Sequence, residues 1–166
     1  YRNQWPKLSG NYVSYAAAYD QYFNNISGGI GVVLVNDVQA KTINTTTGSL
    51  IYSYHLPLNR KWQMMFGAKA TWVQKSLDWS KLTFGDMIDP RKGFIYQTGD
   101  VPRAGNRGFF DVGAGVIIFS KSFNFGFAAH HLSEPNESMI LGPDDPLPMR
   151  FTVHTSANIA LGTESK

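Results

Sequence analysis

The stretch KWQMMFGAKATWVQK at residues 61–75 constrains the fold more than any other part of the chain. Taken two residues at a time, it separates into an apolar face and a face that carries all of its charge. The apolar face holds Trp62, Met64, Phe66, Ala68, Ala70 and Trp72, and the other holds Lys61, Gln63, Met65, Gly67, Lys69, Thr71, Val73 and Lys75. Side chains alternate between two faces only in an extended chain, so the pattern predicts a β-strand.

The length of this strand matches a membrane. From Trp62 to Trp72 it spans about 33 Å at roughly 3.3 Å per residue, and a tilt of about 40° leaves a rise of about 25 Å. That rise equals the apolar band of a transmembrane β-barrel, whose rims carry girdles of aromatic residues. Strands of soluble sheets are typically much shorter. We therefore predict that the strand crosses a lipid bilayer, with Trp62 and Trp72 at its two interfaces.

Composition supports a membrane protein without a helical span. The 166 residues are 14% aromatic and 16% charged, and ordinary soluble domains are about 25% charged. No run of about 18 apolar residues is present, which excludes a transmembrane helix. The chain has no Cys, which excludes thiolate metal sites, thiol catalysis and disulfides within it. Its net charge of +3 comes from scattered Lys and Arg, so we expect no nucleic-acid partner.

The same alternation recurs along the chain. It predicts further strands at 12–22, 43–56, 109–119, 123–132 and 149–161, with a segment at 30–36 that is apolar on both sides and a strand end at 1–5. The predicted fold class is therefore all-β, a transmembrane antiparallel up-and-down β-barrel with about 7–8 strands in this chain. Residues 1–166 form one domain by length. Because bacterial single-chain barrels have an even number of strands, we expect this outer-membrane domain to lack some N-terminal strands.

The predicted connections differ in length from one end of the strands to the other. Turns at 57–60 and 120–122 are short, whereas 76–108 and 133–148 are long. Transmembrane barrels have short periplasmic turns and longer extracellular loops. This alternation of lengths places 37–42, 76–108, 133–148 and the turn at 5–11 outside the cell, although the connection at 20–29 is longer than the periplasmic side favours.

The loop at 76–108 is too long to be a simple turn. Loops of this length are uncommon unless they are functional or disordered, and the apolar residues Trp79, Leu82, Phe84, Met87 and Ile88 disfavour disorder. The loop either packs over the barrel or forms an outer docking surface, and the two interpretations are compatible. The candidate partner-binding residues are Trp79, Leu82, Phe84, Asp86, Asp89 and Arg91, with the charged ones orienting a docked protein.

Four segments together resemble the PorP/SprF family: YRNQWP at 1–6, AAAYDQY at 16–22, QKSLDWSKLTFGDMIDPRKGF at 74–94 and HHLSEPNES at 130–138. The resemblance implies an outer-membrane β-barrel of the type IX secretion system, with no catalytic motif. It also implies partners among the subunits of the secretion machine or its secreted adhesin cargo, and a link to gliding motility. The alternative is a general outer-membrane porin for small solutes, which rests only on the polar inward faces. A soluble lipocalin-like binder is opposed by the Trp-to-Trp span.

Catalytic and metal sites are weakly indicated. A hydrolase would need a nucleophile and a base at one rim, and nothing in the spacing of Ser133 or Ser138 from His131 requires one. Asp86, Asp89, Asp144 and Asp145 are oxygen ligands of the kind that Ca²⁺ prefers, but their spacing matches no EF-hand loop. We therefore expect no catalytic residue, metal or cofactor.

Two expectations concern the inward faces. Adjacent residues of one strand point to opposite sides, so His130 should face the lumen and His131 should not. Lys61, Lys69 and Lys75 could line an anion-selective pore, or they could pair across a filled lumen with Asp111 and Asp20.

Overall fold

The computed structural model describes residues 1–7, 10–99, 105–141 and 144–158, and the described chain is built almost entirely from antiparallel strands. The strands are β1 (Arg2–Gln4), β2 (Tyr12–Phe23), β3 (Gly28–Gln39), β4 (Ile43–Pro57), β5 (Gln63–Leu77), β6 (Ile88–Asp89), β7 (Gly93–Phe94), β8 (Asn106–Phe119), β9 (Phe123–His130) and β10 (Arg150–Ala157). Short 3₁₀ turns occupy Asn24–Ile26, Trp79–Lys81 and Gly85–Met87. The described part of the chain contains no helix with the length and apolar character needed to cross a membrane.

The main sheet follows the order of the chain. Its eight strands pair as β1-β2-β3-β4-β5-β8-β9-β10, and β6 pairs only with β7. Each strand of the main sheet is antiparallel to the strand beside it, which is the up-and-down topology of a barrel wall. Among the described residues no ladder joins β1 to β10, so the sheet is part of a barrel with two open edges. The predicted fold class is confirmed.

The connection between β2 and β3 is shorter than predicted. Gly28 and Gly29, expected in a turn, pair with Tyr54 and Ser53 of β4. A Cβ on Gly28 would collide with the Ser53 carbonyl oxygen, so the close approach of the two strands requires glycine there. The connection is therefore only 24–27, which is short like the other connections at that end of the sheet.

Other strand limits also differ from the prediction. Strand β3 continues to Gln39, which reduces the expected loop at 37–42 to residues 40–42. Ala40 and Lys41 there have φ of 50° and 57°, the left-handed backbone that a tight hairpin turn needs. Trp62 precedes β5 instead of lying within it. Strand β10 ends at Ala157, and residues 159–161 of the predicted last strand lie outside the described residues.

Every charged residue in the main sheet lies on one face. The strand registers place these residues on the side of Lys69 and Thr71, which we call the inner face. They are Arg2, Asp20, Asp37, Lys69, Lys75, Arg107, Asp111 and Arg150. The opposite face, which we call the outer face, carries Phe66, Ala68 and Trp72 and has no charged residue in any of these strands. The predicted alternation of the two faces is confirmed, and contact of the outer face with lipid stays a prediction.

Burial is inverted relative to a soluble protein. The most buried polar residues form one row on the inner face, where Ser49, Thr71 and Asp111 are 8%, 4% and 6% exposed. The hydroxyls of Ser49 and Thr71 share a hydrogen bond of 2.9 Å. Large apolar residues of the outer face such as Phe125 and Phe151 are instead exposed. A sheet with a polar, covered interior and an apolar exterior suits lipid as its outer solvent.

Aromatic side chains lie near both ends of the outer face. Trp72 is exposed there, and its indole covers Gly108, where an added Cβ would lie 2.5 Å from the ring. At the opposite end the Trp62 and Phe123 rings meet edge to face, with centroids 6.4 Å apart. Trp62 and Trp72 therefore lie at opposite ends of the outer face, and their position at the two membrane interfaces stays a prediction.

Adjacent positions in the middle of β5 should respond oppositely to arginine. Ala68→Arg puts a charge on the outer face against lipid and should cost about 2–4 kcal/mol, whereas Lys69→Arg keeps a cation on the inner face and should be nearly neutral. The measurement is reversible urea unfolding in lipid vesicles, followed by tryptophan fluorescence. Equal destabilisation by both substitutions would contradict the assignment of faces.

Candidate docking loop and inner strap

The long loop between β5 and β8 folds into a small unit of its own. Strands β6 and β7 form a hairpin in which Ile88 pairs with Phe94 and Asp89 pairs with Gly93. The backbone N–H groups of Ile95 and Tyr96 both donate to the Met87 carbonyl, at 3.1 and 3.2 Å. The segment at 78–91, which the sequence predicts to be ordered, therefore has regular backbone structure.

The loop is attached to the neighbouring β3–β4 turn. The Asp78 N–H donates to the Thr42 carbonyl at 3.0 Å, and the Lys81 Nζ donates to the Lys41 carbonyl at 3.1 Å. Lys81 also forms an ion pair of 2.9 Å with Asp78. These contacts hold the base of the loop against the end of the sheet, so the hairpin projects from a defined position.

Two aspartate side chains accept hydrogen bonds from groups within the same loop. The Asp89 Oδ1 accepts the N–H groups of Arg91 and Lys92 at 2.8 and 2.9 Å, and its Oδ2 accepts the Tyr96 hydroxyl at 3.1 Å. The Asp86 Oδ2 accepts the Gly99 N–H at 2.7 Å and the Thr98 hydroxyl at 2.9 Å. Both aspartates therefore stabilise the loop itself.

These hydrogen bonds favour the ionised carboxylates. The N–H groups of Arg91 and then Lys92 lower the pKa of the Asp89 carboxyl, and the Gly99 N–H, followed by the Thr98 hydroxyl, lowers the pKa of Asp86. Within the described ranges, no group of three or more His, Asp or Glu side chains is placed to hold a metal ion.

The predicted partner-binding residues separate into two groups. Trp79, Leu82 and Phe84 are half-buried, and the Trp79 and Phe84 rings stack with centroids 6.1 Å apart. Arg91 and Asp86 are exposed, and Asp89 is half-buried. The aromatic residues that the sequence singled out thus support the loop from inside.

The exposed apolar surface of the loop lies on the hairpin. Ile88, Phe94, Ile95 and Tyr96 are 47%, 63%, 51% and 53% exposed, and we call these four residues the hairpin patch. None of the four belongs to the predicted partner-binding set, although Ile88 is among the apolar residues that disfavour disorder of the loop. The signal that could have found the residues at 94–96 is the run GFIY at 93–96, an apolar run directly after a charged turn.

The second long connection turns back over the inner face, and we call residues 131–141 the inner strap. His131 has a φ of 58°, which ends the alternation of β9. Its Nδ1 lies 3.0 Å from the Asp111 Oδ2 on the inner face. The Ser133 hydroxyl donates to the Asp111 Oδ1 at 3.3 Å. The prediction that His131 points away from the inner face is therefore wrong, because the left-handed residue rotates it inward.

Two further contacts fasten the inner strap across the sheet. Lys75 forms an ion pair with Glu137, and the Arg107 Nε donates to the Asn136 carbonyl at 2.9 Å. Met139 lines a cavity of about 320 Å³ together with residues of β3, β4 and β5. Lys75 thus pairs with the strap, and the predicted pairing with Asp111 or Asp20 is wrong because the strap supplies a nearer carboxylate.

The hydroxyls of the inner strap do not form a nucleophile–base pair. Ser133 donates to Asp111 and to the Phe110 carbonyl, and Ser138 donates to the Ile140 carbonyl at 3.0 Å. A Ser-His-Asp triad needs the serine hydroxyl to donate to the imidazole. The polar groups of the strap are used instead to satisfy one another on the inner face.

These features define a membrane protein of the β-barrel class, with the inner strap on one face of its sheet and an ordered loop between β5 and β8. The family model for the type IX secretion system membrane protein PorP/SprF matches residues 1–166. The chain therefore belongs to the PorP/SprF family, as its motifs predict. No curated protein and no solved structure matches the chain.

The hairpin should loosen when the Asp89 carboxylate is lost. Asp89→Ala removes the acceptor of two N–H groups, so the protection of the Arg91 and Lys92 amides against hydrogen exchange should fall several-fold. Asp89→Asn retains a side-chain oxygen and should have a smaller effect. Hydrogen exchange read by mass spectrometry on the protein in nanodiscs measures both.

The pH dependence of the same contact has a definite sign. Folding lowers the pKa of Asp89 below its usual value of 3.8. The ionised carboxylate therefore stabilises the hairpin fully above pH 3.8, and this stabilisation is lost as the pH falls through the lowered pKa of the folded protein. If the Arg91 and Lys92 amides keep the same protection against hydrogen exchange through this acid range, or in Asp89→Ala, the Asp89 carboxylate does not hold the hairpin.

Proposed function

We propose that the protein is a non-enzymatic outer-membrane component of the type IX secretion system whose hairpin patch binds a protein partner. The partner is adhesin-type cargo or a subunit of the secretion machine, and binding supports secretion or surface attachment of the cargo during gliding motility. Membership of the family supports the secretion system. The cargo and the contact surface are inferred from the chemistry of the loop.

The observation that carries the proposal is the exposure of the hairpin patch. Four large apolar side chains are exposed at 88–96, where Asp89 holds the β6–β7 turn and Asp86 holds the chain that follows at 98–99. Burying each of them fully in a partner would contribute about 1.5–3 kcal/mol. A rigid apolar cluster loses little conformational entropy on binding, and interface hot spots are built in this way.

Charges of both signs lie beside the hairpin patch. Arg91 and Lys92 are exposed in the β6–β7 turn, and the ionised carboxylates of Asp86 and Asp89 accept hydrogen bonds from the loop nearby. Rim charges of this kind steer and orient a partner more than they add to affinity.

The connection lengths support an extracellular position for the hairpin. Connections 24–27, 58–62 and 120–122 are short and share one end of the sheet, whereas the loop carrying the hairpin and the inner strap start from the other. The β3–β4 turn at 40–42 is short and also lies at this second end. Barrels of the outer membrane have their longer loops outside the cell. Secreted cargo would therefore meet the hairpin patch on the cell surface.

The alternative function, a porin for small solutes, is supported only by the polar inner face. The inner strap, however, lies against that face and is held by contacts from His131, Asn136 and Glu137. A strap fastened across the interior obstructs diffusion of solutes, which favours a docking role over a conducting one.

Removing the hairpin patch should separate partner binding from folding. The double variant Phe94→Ala, Ile95→Ala should insert normally, because neither residue lies in the main sheet, and it should weaken capture of cargo at least about tenfold, which corresponds to the loss of roughly 1.4 kcal/mol. The measurements are heat-modifiable migration for the barrel, co-purification for the partner and immunolabelling of adhesin on intact cells.

A matched control and a second variant sharpen this test. Leu141→Ala with Met149→Ala removes two exposed apolar side chains from the other long connection and should preserve display. Trp79→Ala with Phe84→Ala breaks the supporting stack and should also reduce capture in a folded barrel. Normal display and co-purification by the Phe94, Ile95 variant would show that the patch is not the docking surface.

A further inference from the structure

A cleft of about 430 Å³ lies at the short-turn end of the sheet, away from the hairpin and the inner strap. It forms between the β4–β5 turn and the β8–β9 turn, which are adjacent because β5 pairs with β8. Its lining is Arg60, Lys61, Trp62, Ser120, Lys121 and Ser122. The cleft therefore combines three cationic side chains with two hydroxyls and one indole, and no carboxylate lines it.

The cations of the cleft are unpaired. Arg60, Lys61 and Lys121 are exposed, and among the described residues none of their side chains has an ion pair or a hydrogen bond. Lys75 and Lys81 elsewhere each have a carboxylate partner. Like charges that share a small cleft repel one another, and a bound anion would relieve that repulsion.

Both turns that carry the cations are held by their own side chains. The Asn59 Oδ1 accepts the N–H groups of Lys61 and Trp62 at 2.8 and 2.9 Å. The Ser120 Oγ accepts the Phe123 N–H at 3.1 Å and donates to the Phe123 carbonyl at 3.2 Å. The bases of the cationic side chains are therefore fixed before any ligand binds, which lowers the cost of binding.

The aromatic pair beside the cleft places it at the membrane surface. Trp62 meets Phe123 edge to face, and both extend the apolar outer face at its short-turn end. Trp at such a rim lies at the level of the lipid headgroups. The cations of the cleft are consequently beside headgroup phosphates rather than in the aqueous space where an acidic protein would approach.

We propose that this cleft binds the phosphodiester headgroup of an anionic phospholipid. Arg60 can hold two phosphate oxygens with its guanidinium, and Lys61 and Lys121 add point charges from the two sides of the cleft. The Ser122 hydroxyl has no partner among the described residues and can donate to the same group. The Trp62 ring packs against the upper part of the acyl chains.

The test uses the full chain in nanodiscs that contain phosphatidylglycerol and phosphatidylcholine, with native mass spectrometry as the readout of retained lipid. The wild type should retain phosphatidylglycerol in preference. The variant Arg60→Gln, Lys61→Gln, Lys121→Gln should lose that preference by about tenfold to a hundredfold. The charge-preserving variant Arg60→Lys, Lys61→Arg, Lys121→Arg should keep most of it, which checks that the turns remain folded.

A matched control removes three cations at the opposite end of the sheet. Lys7→Gln, Lys41→Gln, Lys92→Gln changes the net charge equally and should retain phosphatidylglycerol as the wild type does. Equal retention by the cleft variant and this control would overturn the proposal, as would a wild type with no lipid preference. Displacement of the lipid by millimolar inorganic phosphate would identify a site for free phosphate instead. Loss of a co-purified protein with unchanged lipid retention would identify a protein site.

Discussion

The separation of charge from lipid is the constraint on which the rest of this structure depends. A bilayer offers no water to solvate a side-chain charge or an unpaired backbone group, so both must be satisfied within the protein. All charged residues of the main sheet lie on its inner face, where Asp111 is bonded to His131 and Ser133. The outer face is left to apolar and aromatic side chains. The long strands follow from the same requirement, because they must cross the full apolar thickness.

Because the outer face of the sheet is apolar, the surfaces that can bind other molecules from water lie at its two ends. The inner strap covers part of the polar interior, and the Lys75–Glu137 ion pair fastens it to β5. At the long-loop end, Asp89 holds a hairpin that exposes apolar side chains to water. At the short-turn end, a cationic cleft lies beside Trp62. The two ends of the sheet thus carry chemically distinct surfaces, one apolar and one cationic.

The strands were predictable because their signal is local. A period of two residues, repeated through Phe66, Ala68 and Ala70, needs no knowledge of neighbours to assign a face. The segment at 30–36 is apolar on both sides, so its faces follow only from the register that places Val32 opposite Tyr19 and Leu50. Family membership was likewise readable from the run at 74–94.

The loops were less predictable because their contacts depend on tertiary structure. His131 points inward because its own backbone is left-handed. Lys75 pairs with Glu137 of the inner strap, which is 62 residues away in sequence. Trp79 and Phe84 could be recognised as important, but the sequence could not show that they stack inside the loop while Phe94 and Ile95 are exposed. Composition identifies an apolar loop, and only packing decides which of its residues remain available to a partner.

The most direct test of the central claim is the lipid exposure of successive residues along β5. Nitroxide labels placed one at a time at 64–73 in the reconstituted protein report collision rates with oxygen, which concentrates in lipid, and with a water-soluble nickel reagent. If the outer face meets lipid, oxygen access should follow a period of two, highest at positions 66, 68, 70 and 72 and low at the positions between them. A uniform profile, or an oxygen maximum at 67, 69 and 71, would contradict the inside-out arrangement of the sheet.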